Sequence, residues 1–107
     1  MPLIRLDYDS DKVNQTEATS LSEAIQKIVS EATGIEDVFV YANSAQIKVK
    51  IAPIEIFVEM SAHKIKDPDV LVKDIKSRLS DWKQKNKFNH PINLTLIPMH
   101  WKIEIGI

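Results

Sequence analysis

Two stretches of helical apolar spacing, each bracketed by short strand-like runs, set the tightest limit on this chain. Leu21, Ile25, Ile28, Val29 and Ala32 form one stripe on an otherwise polar segment. Ser20 with Glu23 makes a capping-box pattern, Thr16 is a second candidate cap, and Gly34 suits a left-handed helix end. The spacing predicts a helix over roughly residues 16–33. Leu71, Ile75, Leu79 and Trp82 form the second stripe. That helix opens at Asp67-Pro68, a side-chain cap followed by a proline whose missing N–H costs nothing at the first helical position. It is expected to fray in Lys83-Gln84-Lys85-Asn86-Lys87.

The flanking runs read as strands. Leu3, Ile4 and Leu6 open the first, with Pro2 at its head, where a strand tolerates proline. Val38-Phe39-Val40-Tyr41 is the second, followed by a turn at Ala42-Asn43-Ser44. Gln46 to Ile51 alternates apolar and polar residues, and its Lys48 and Lys50 read as guards on an edge strand. Ile54 to Met60 is the strongest run and is expected at the centre of the sheet. Ile92 to Leu96 is expected to stop before Pro98, and Trp101 to Ile105 alternates as a last strand. The order predicts an α+β fold in which two β-α-β units share a mixed four-stranded sheet. The right-handed crossover rule puts both helices on one face. The other face is then bare, and a second subunit is expected to cover it.

Composition narrows the function classes. One domain over 1–107 fits the length. Fifteen acidic against fourteen basic residues leave a net charge of −1, so no overall field favours nucleic acid or an anionic membrane. Zero cysteines exclude disulfides, thiolate metal sites and a cysteine nucleophile. With no apolar run long enough to span a bilayer and no leader-like start, a cytoplasmic protein is expected. Asp7-Tyr8-Asp9-Ser10-Asp11 resembles a calcium-loop start, but the glycine and glutamate such a loop needs are Lys12 and Ala18 here. His63, His90 and His100 lack ligand spacing, so no metal or cofactor is expected. His63 lies beside Lys64 at a strand end, whereas His90 and His100 read as loop residues. Lys83, Lys85 and Lys87 beside Trp82 and Phe88 resemble a single-strand nucleic-acid patch, but read more simply as a solvated helix end.

Pro2 carries the distinctive chemistry. With Met1 removed it becomes a terminus bearing a secondary amine. A free α-amino group titrates near pH ~8, and burial in an apolar pocket lowers that value. A base poised near the working pH suits proton abstraction next to a carbonyl.

Together these features resemble the tautomerase superfamily. The grounds are Pro2 opening a strand after Met1, the doubled β-α-β layout, Ala32-Thr33-Gly34 before the second strand, and Met60-Ser61-Ala62-His63-Lys64-Ile65, which stands where macrophage migration inhibitory factor has Ser-Ile-Gly-Lys-Ile. The resemblance covers nearly the whole chain and points to the long-subunit, uncharacterised bacterial branch. It implies a homotrimer with extra short strands pairing across subunits and sites at subunit interfaces. It implies Pro2 as general base in keto–enol tautomerisation of a small keto acid, with Lys64 and a backbone N–H near Ala62 as anion contacts. Asn93 and Thr95 would add a polar wall, a neighbour's Arg5 would reach the site, and Trp101 would wall the pocket or seal the trimer. The chain departs from the family where Ile35 replaces a lysine after Ala-Thr-Gly, and it lacks the paired arginines of members that handle dicarboxylates. Arg5 falls on the sheet face opposite Pro2 by alternation, and Arg78 falls on the second helix. Two other readings stay open: a catalytically silent trimeric binding or structural protein on the same scaffold, and a ferredoxin-like domain binding a ligand or RNA on its open face.

Overall fold

The computed structural model describes residues 1–107. The chain runs β1 (Leu3–Tyr8), α1 (Gln15–Thr33), β2 (Phe39–Ser44), β3 (Ile54–Ser61), a 3₁₀ turn (Ala62–Lys64), α2 (Pro68–Asn86) and β4 (Asn93–Met99). The sheet order is β2-β1-β3-β4. The β1–β2 and β3–β4 pairs are parallel, each joined through a helix, and β1–β3 is antiparallel. This is the predicted mixed sheet with two helices, and Ile54–Ser61 is central as expected.

Alternation decides what is buried. Ile4 and Leu6 of β1, and Ile54, Ile56 and Val58 of β3, are almost fully buried and share one core with Leu21, Ile25 and Val29 of α1 and Ile75 and Leu79 of α2. Arg5, Asp7, Glu55, Phe57 and Glu59 point to the other face, which no helix covers. At roughly 1.5–3 kcal/mol per fully buried aliphatic side chain, this one-sided core is the main stabilising term.

Several local expectations are corrected. The cap of α1 is Asn14: its carboxamide accepts from the Glu17 N–H at 2.8 Å, and the Glu17 carboxylate accepts from the Asn14 N–H at 3.1 Å. The sequence signal at Ser20–Glu23 falls inside the helix, where the backbone N–H groups already have partners. Gly34 ends the helix at φ 72°, as predicted. Helix α2 does not fray at its lysines. It continues to Asn86 and closes on Lys87 at φ 51°, with Phe88 buried behind it. The proposed turn at 42–44 is the end of β2, since it pairs with Leu6, Asp7 and Tyr8. β4 runs through Pro98, which an edge strand tolerates because one side of its backbone needs no partner.

Two predicted strands are absent from the single chain. Residues 46–51 form a bent loop with Ile47 88% and Val49 99% exposed, and residues 100–107 form no regular element. Neither has a strand partner here, and an unpaired strand has no ladder to hold it. Lys48 is not an outward edge guard either. Its ammonium turns inward to Asp9 Oδ1 at 2.7 Å and Asp11 Oδ2 at 3.1 Å. No helix is long and apolar enough to cross a membrane.

Candidate functional site

Strand register brings one group of candidates together. Leu3 pairs with Glu59, so Pro2 lies beside Met60 at the C-terminal end of β3. Phe39 donates its N–H to the Pro2 carbonyl at 3.1 Å, which ties the head of β1 to the start of β2. Pro2 and Met60 are both buried, yet stand outside the main core cluster. Ser61 then leads into the 3₁₀ turn that carries Ala62, His63 and Lys64. Ser61 also pairs with Met99, so His100 and the half-buried Trp101 emerge at this same end. Pro2, Ala62, Lys64 and Trp101, separated by up to 99 positions in the sequence, thus share one end of the sheet.

Lys64 lines a cleft of about 270 Å³ between the end of α1 and the start of α2. Ala32 and Thr33 form one wall, while Asp67 and Asp74 stand in the lining with it. Those carboxylates lower the anion-binding capacity of the cleft interior, so Lys64 serves an anion best from its rim.

The remaining candidates lie elsewhere in the single chain. Asn93 pairs with Glu55, five positions down β3 from Met60 and so roughly 16 Å along the strand. Its amide donates to the Glu55 carboxylate at 2.9 Å. Thr95 pairs with Phe57, roughly 10 Å from the Pro2 end. Neither meets Pro2 within one chain. Arg5 is on the open face, as alternation predicted. Its guanidinium lies 4.4 Å above the Phe57 ring and its Nε donates to Asp7 at 3.2 Å. Arg78 bonds Asp74 at 2.9 Å and Glu31 at 3.2 Å, which clamps α2 to α1 away from Pro2.

A cavity of about 670 Å³ was not foreseen from the sequence and is not at Pro2. It lies on the open face toward the far end of the sheet, lined by Arg5, Tyr8, Asn43, Lys50, Glu55 and Phe57. One of its walls is the 45–52 loop, whose alternating sequence resembles a strand and carries no cavity signal.

Three further features answer sequence-based readings. Asp9 and Asp11 take the Lys48 ammonium. The hydrogen bond from Lys48, then that from the Asp11 N–H, holds the Asp9 carboxyl below the usual range. His90 is not a free loop residue: its Nε2 sits 2.8 Å from Glu17, and its ring packs edge-on against Phe88. Trp82 and Phe88 pack on each other with centroids 5.2 Å apart, and Phe88 is buried. The lysines at this helix end therefore lack the exposed aromatics that base stacking requires.

No protein-family profile and no curated protein matches the sequence. Solved structures do match in fold. Malonate semialdehyde decarboxylase superposes with a TM-score of 0.67 at 11% identity, over 98% of this chain and 92% of that one. Leishmania major MIF2 gives 0.66 at 15%, over 99% and 95%. A 5-carboxymethyl-2-hydroxymuconate delta-isomerase gives 0.66 at 10%, over 99% and 89%. All three belong to the tautomerase superfamily, and at these identities the likeness is one of fold. The fold is that of the tautomerase superfamily.

Proposed function

We propose that this chain is a tautomerase-type enzyme assembled as a homotrimer, with Pro2, freed by loss of Met1, as general base toward a small enolisable keto acid. The carrying observation is the setting of Pro2: fully buried, at the head of an inner strand, beside the turn that bears Ala62 and Lys64. An apolar setting disfavours the ammonium form of a terminal amine and leaves it able to accept a proton. The pyrrolidine ring also fixes the direction of its nitrogen. The similar decarboxylase was solved together with a form whose N-terminal proline is replaced by alanine, which marks that position as one of interest in that protein.

The abstracted proton comes from the carbon next to the carbonyl, and negative charge moves onto the carbonyl oxygen. Lys64 and an N–H near Ala62 are the donors assigned to that oxygen or to the substrate carboxylate. Asn93, Thr95 and Arg5 are assigned to the site from a neighbouring copy. Trp101 closes the Pro2 end. Assembly is supported by the bare face carrying Phe39, Tyr41 and Phe57, and by the exposed apolar side chains at 47, 49, 103, 105 and 107. A cytoplasmic setting belongs to the same reading.

The test is the intact mass of the untagged protein, followed by ketonisation of phenylenolpyruvate by wild type and Pro2→Ala. Loss of one methionine, together with at least a hundredfold lower kcat/KM in the variant, is expected, in line with the ~10²–10⁴-fold that a positioned base contributes. An unchanged rate in Pro2→Ala removes Pro2 from the mechanism. A retained Met1 makes the nitrogen an amide and leaves the silent trimeric scaffold as the reading. The ion-paired state of both arginines favours that second reading over any dicarboxylate activity.

A further inference from the structure

We infer that His63 and His100, with Lys64, form the carboxylate-holding side of the Pro2 site. This rests on Pro2 being the reactive centre. The two imidazoles come from different elements, the 3₁₀ turn after β3 and the residue after β4. Their ring centroids lie 6.1 Å apart at an interplanar angle of 85°. Both residues are exposed at the Pro2 end of the sheet. Neither ring is hydrogen-bonded to a protein group, whereas His90 is bound to Glu17.

The distribution of cations leaves this end to lysines and the two imidazoles. Arg5 is bonded to Asp7, Arg78 to Asp74 and Glu31, and Lys48 to Asp9 and Asp11. None of them serves this end of the chain. Lys64, with Lys66 beside it in the same cleft, offers point charges on flexible stems. A bound oxo acid presents a planar carboxylate with two oxygens, and two imidazole N–H groups at this spacing supply the directed donors that Lys64 lacks. Strand spacing of ~4.8 Å puts β1 and β4 roughly 10 Å apart across β3, a gap that a small oxo acid and two imidazole side chains together bridge. The charged neighbours on the adjoining elements are Glu59 at the end of β3, Lys64 and Lys66 after it, Lys102 and Glu104 beyond β4, and Glu36 and Asp37 ahead of β2.

The experiment follows the imidazole Hε1 resonances of the three histidines in the full-length protein during titration with sodium phenylpyruvate at one fixed pH. The signals of His63 and His100 are expected to shift saturably while that of His90 stays still. The double variant His63→Gln/His100→Gln is expected to bind about tenfold more weakly. Stationary His63 and His100 signals, or wild-type affinity in the double variant, overturn the inference. Pro2→Ala separates the two ideas. It is expected to retain the imidazole shifts while losing ketonisation. If it retains both, the role of Pro2 falls and the carboxylate site stands.

Discussion

Replacing Val49 with serine separates folding from assembly. Val49 is 99% exposed in the single chain and Ile47 is 88% exposed, while Lys48 between them turns inward to Asp9. The loop is therefore held at its polar residue and presents its apolar ones. Within one subunit the substitution removes no contact, and a change in folding stability within about 0.5 kcal/mol is expected. In a closed trimer the same side chain is covered three times. Covering a valine is worth about 1.5 kcal/mol or more, so the variant loses about 4–5 kcal/mol per trimer. That corresponds to roughly three decades in the trimer association constant. Sedimentation velocity over a wide concentration series reads this constant, and urea unfolding of dilute monomer reads the folding term. An association constant that moves less than tenfold refutes the placement of Val49 in the interface. A wild-type protein that stays monomeric at every concentration refutes the assembly itself.

Ile56→Ala acts on folding instead. Ile56 is 0% exposed and sits between Leu6 and Leu94 across the sheet, so about 2–5 kcal/mol is lost, against about 1 kcal/mol for Ile56→Val, as measured by urea denaturation. Asn14→Ala removes the side-chain acceptor of the Glu17 N–H, leaving the backbone N–H of residue 14 still able to donate to Glu17, and lowers stability by about 1 kcal/mol on the same assay. The folded-state pKa of Asp9 lies below its unfolded value, so its contribution is fully present above the usual aspartate range, near ~3.9, and is lost as pH falls below it. The denaturation midpoint of wild type is expected to drop more between pH 5 and pH 3 than that of Lys48→Met, which lacks the partner causing most of the shift.

Much of the fold was legible because it rests on period and punctuation. The stripe from Leu21 to Ala32, the Asp67-Pro68 start and the Gly34 stop each have a local physical cause, and each element formed where that cause placed it. The run from Ile54 to Met60 could be placed at the sheet centre because a strand buried against helices needs apolar residues at every second position. Local pattern failed where the path of the whole chain decides. The pattern at Ser20–Glu23 predicted a cap, but the path of the chain out of β1 starts the helix earlier and gives that role to Asn14 with Glu17. Residues 46–51 alternate like a strand, but alternation describes a face, and within one chain that face has no sheet to join.

The candidate site divides in the same way. Pro2 was legible as a proline heading a strand, whereas Ala62 and Lys64 were candidates only through the family resemblance. His63 with His100 and the Lys48–Asp9 bond were not, since their partners lie 37 and 39 positions apart and no local rule connects them. By itself the sequence determined the element types, the face each strand buries, and a proline at the head of an inner strand. It did so because those properties depend on neighbours within a few residues. Only the tertiary structure decided which chain ends meet at Pro2, which cations are already spent on carboxylates, and which apolar residues are left uncovered. Those outcomes depend on strand register, and register is set by the packing of the whole sheet against its helices.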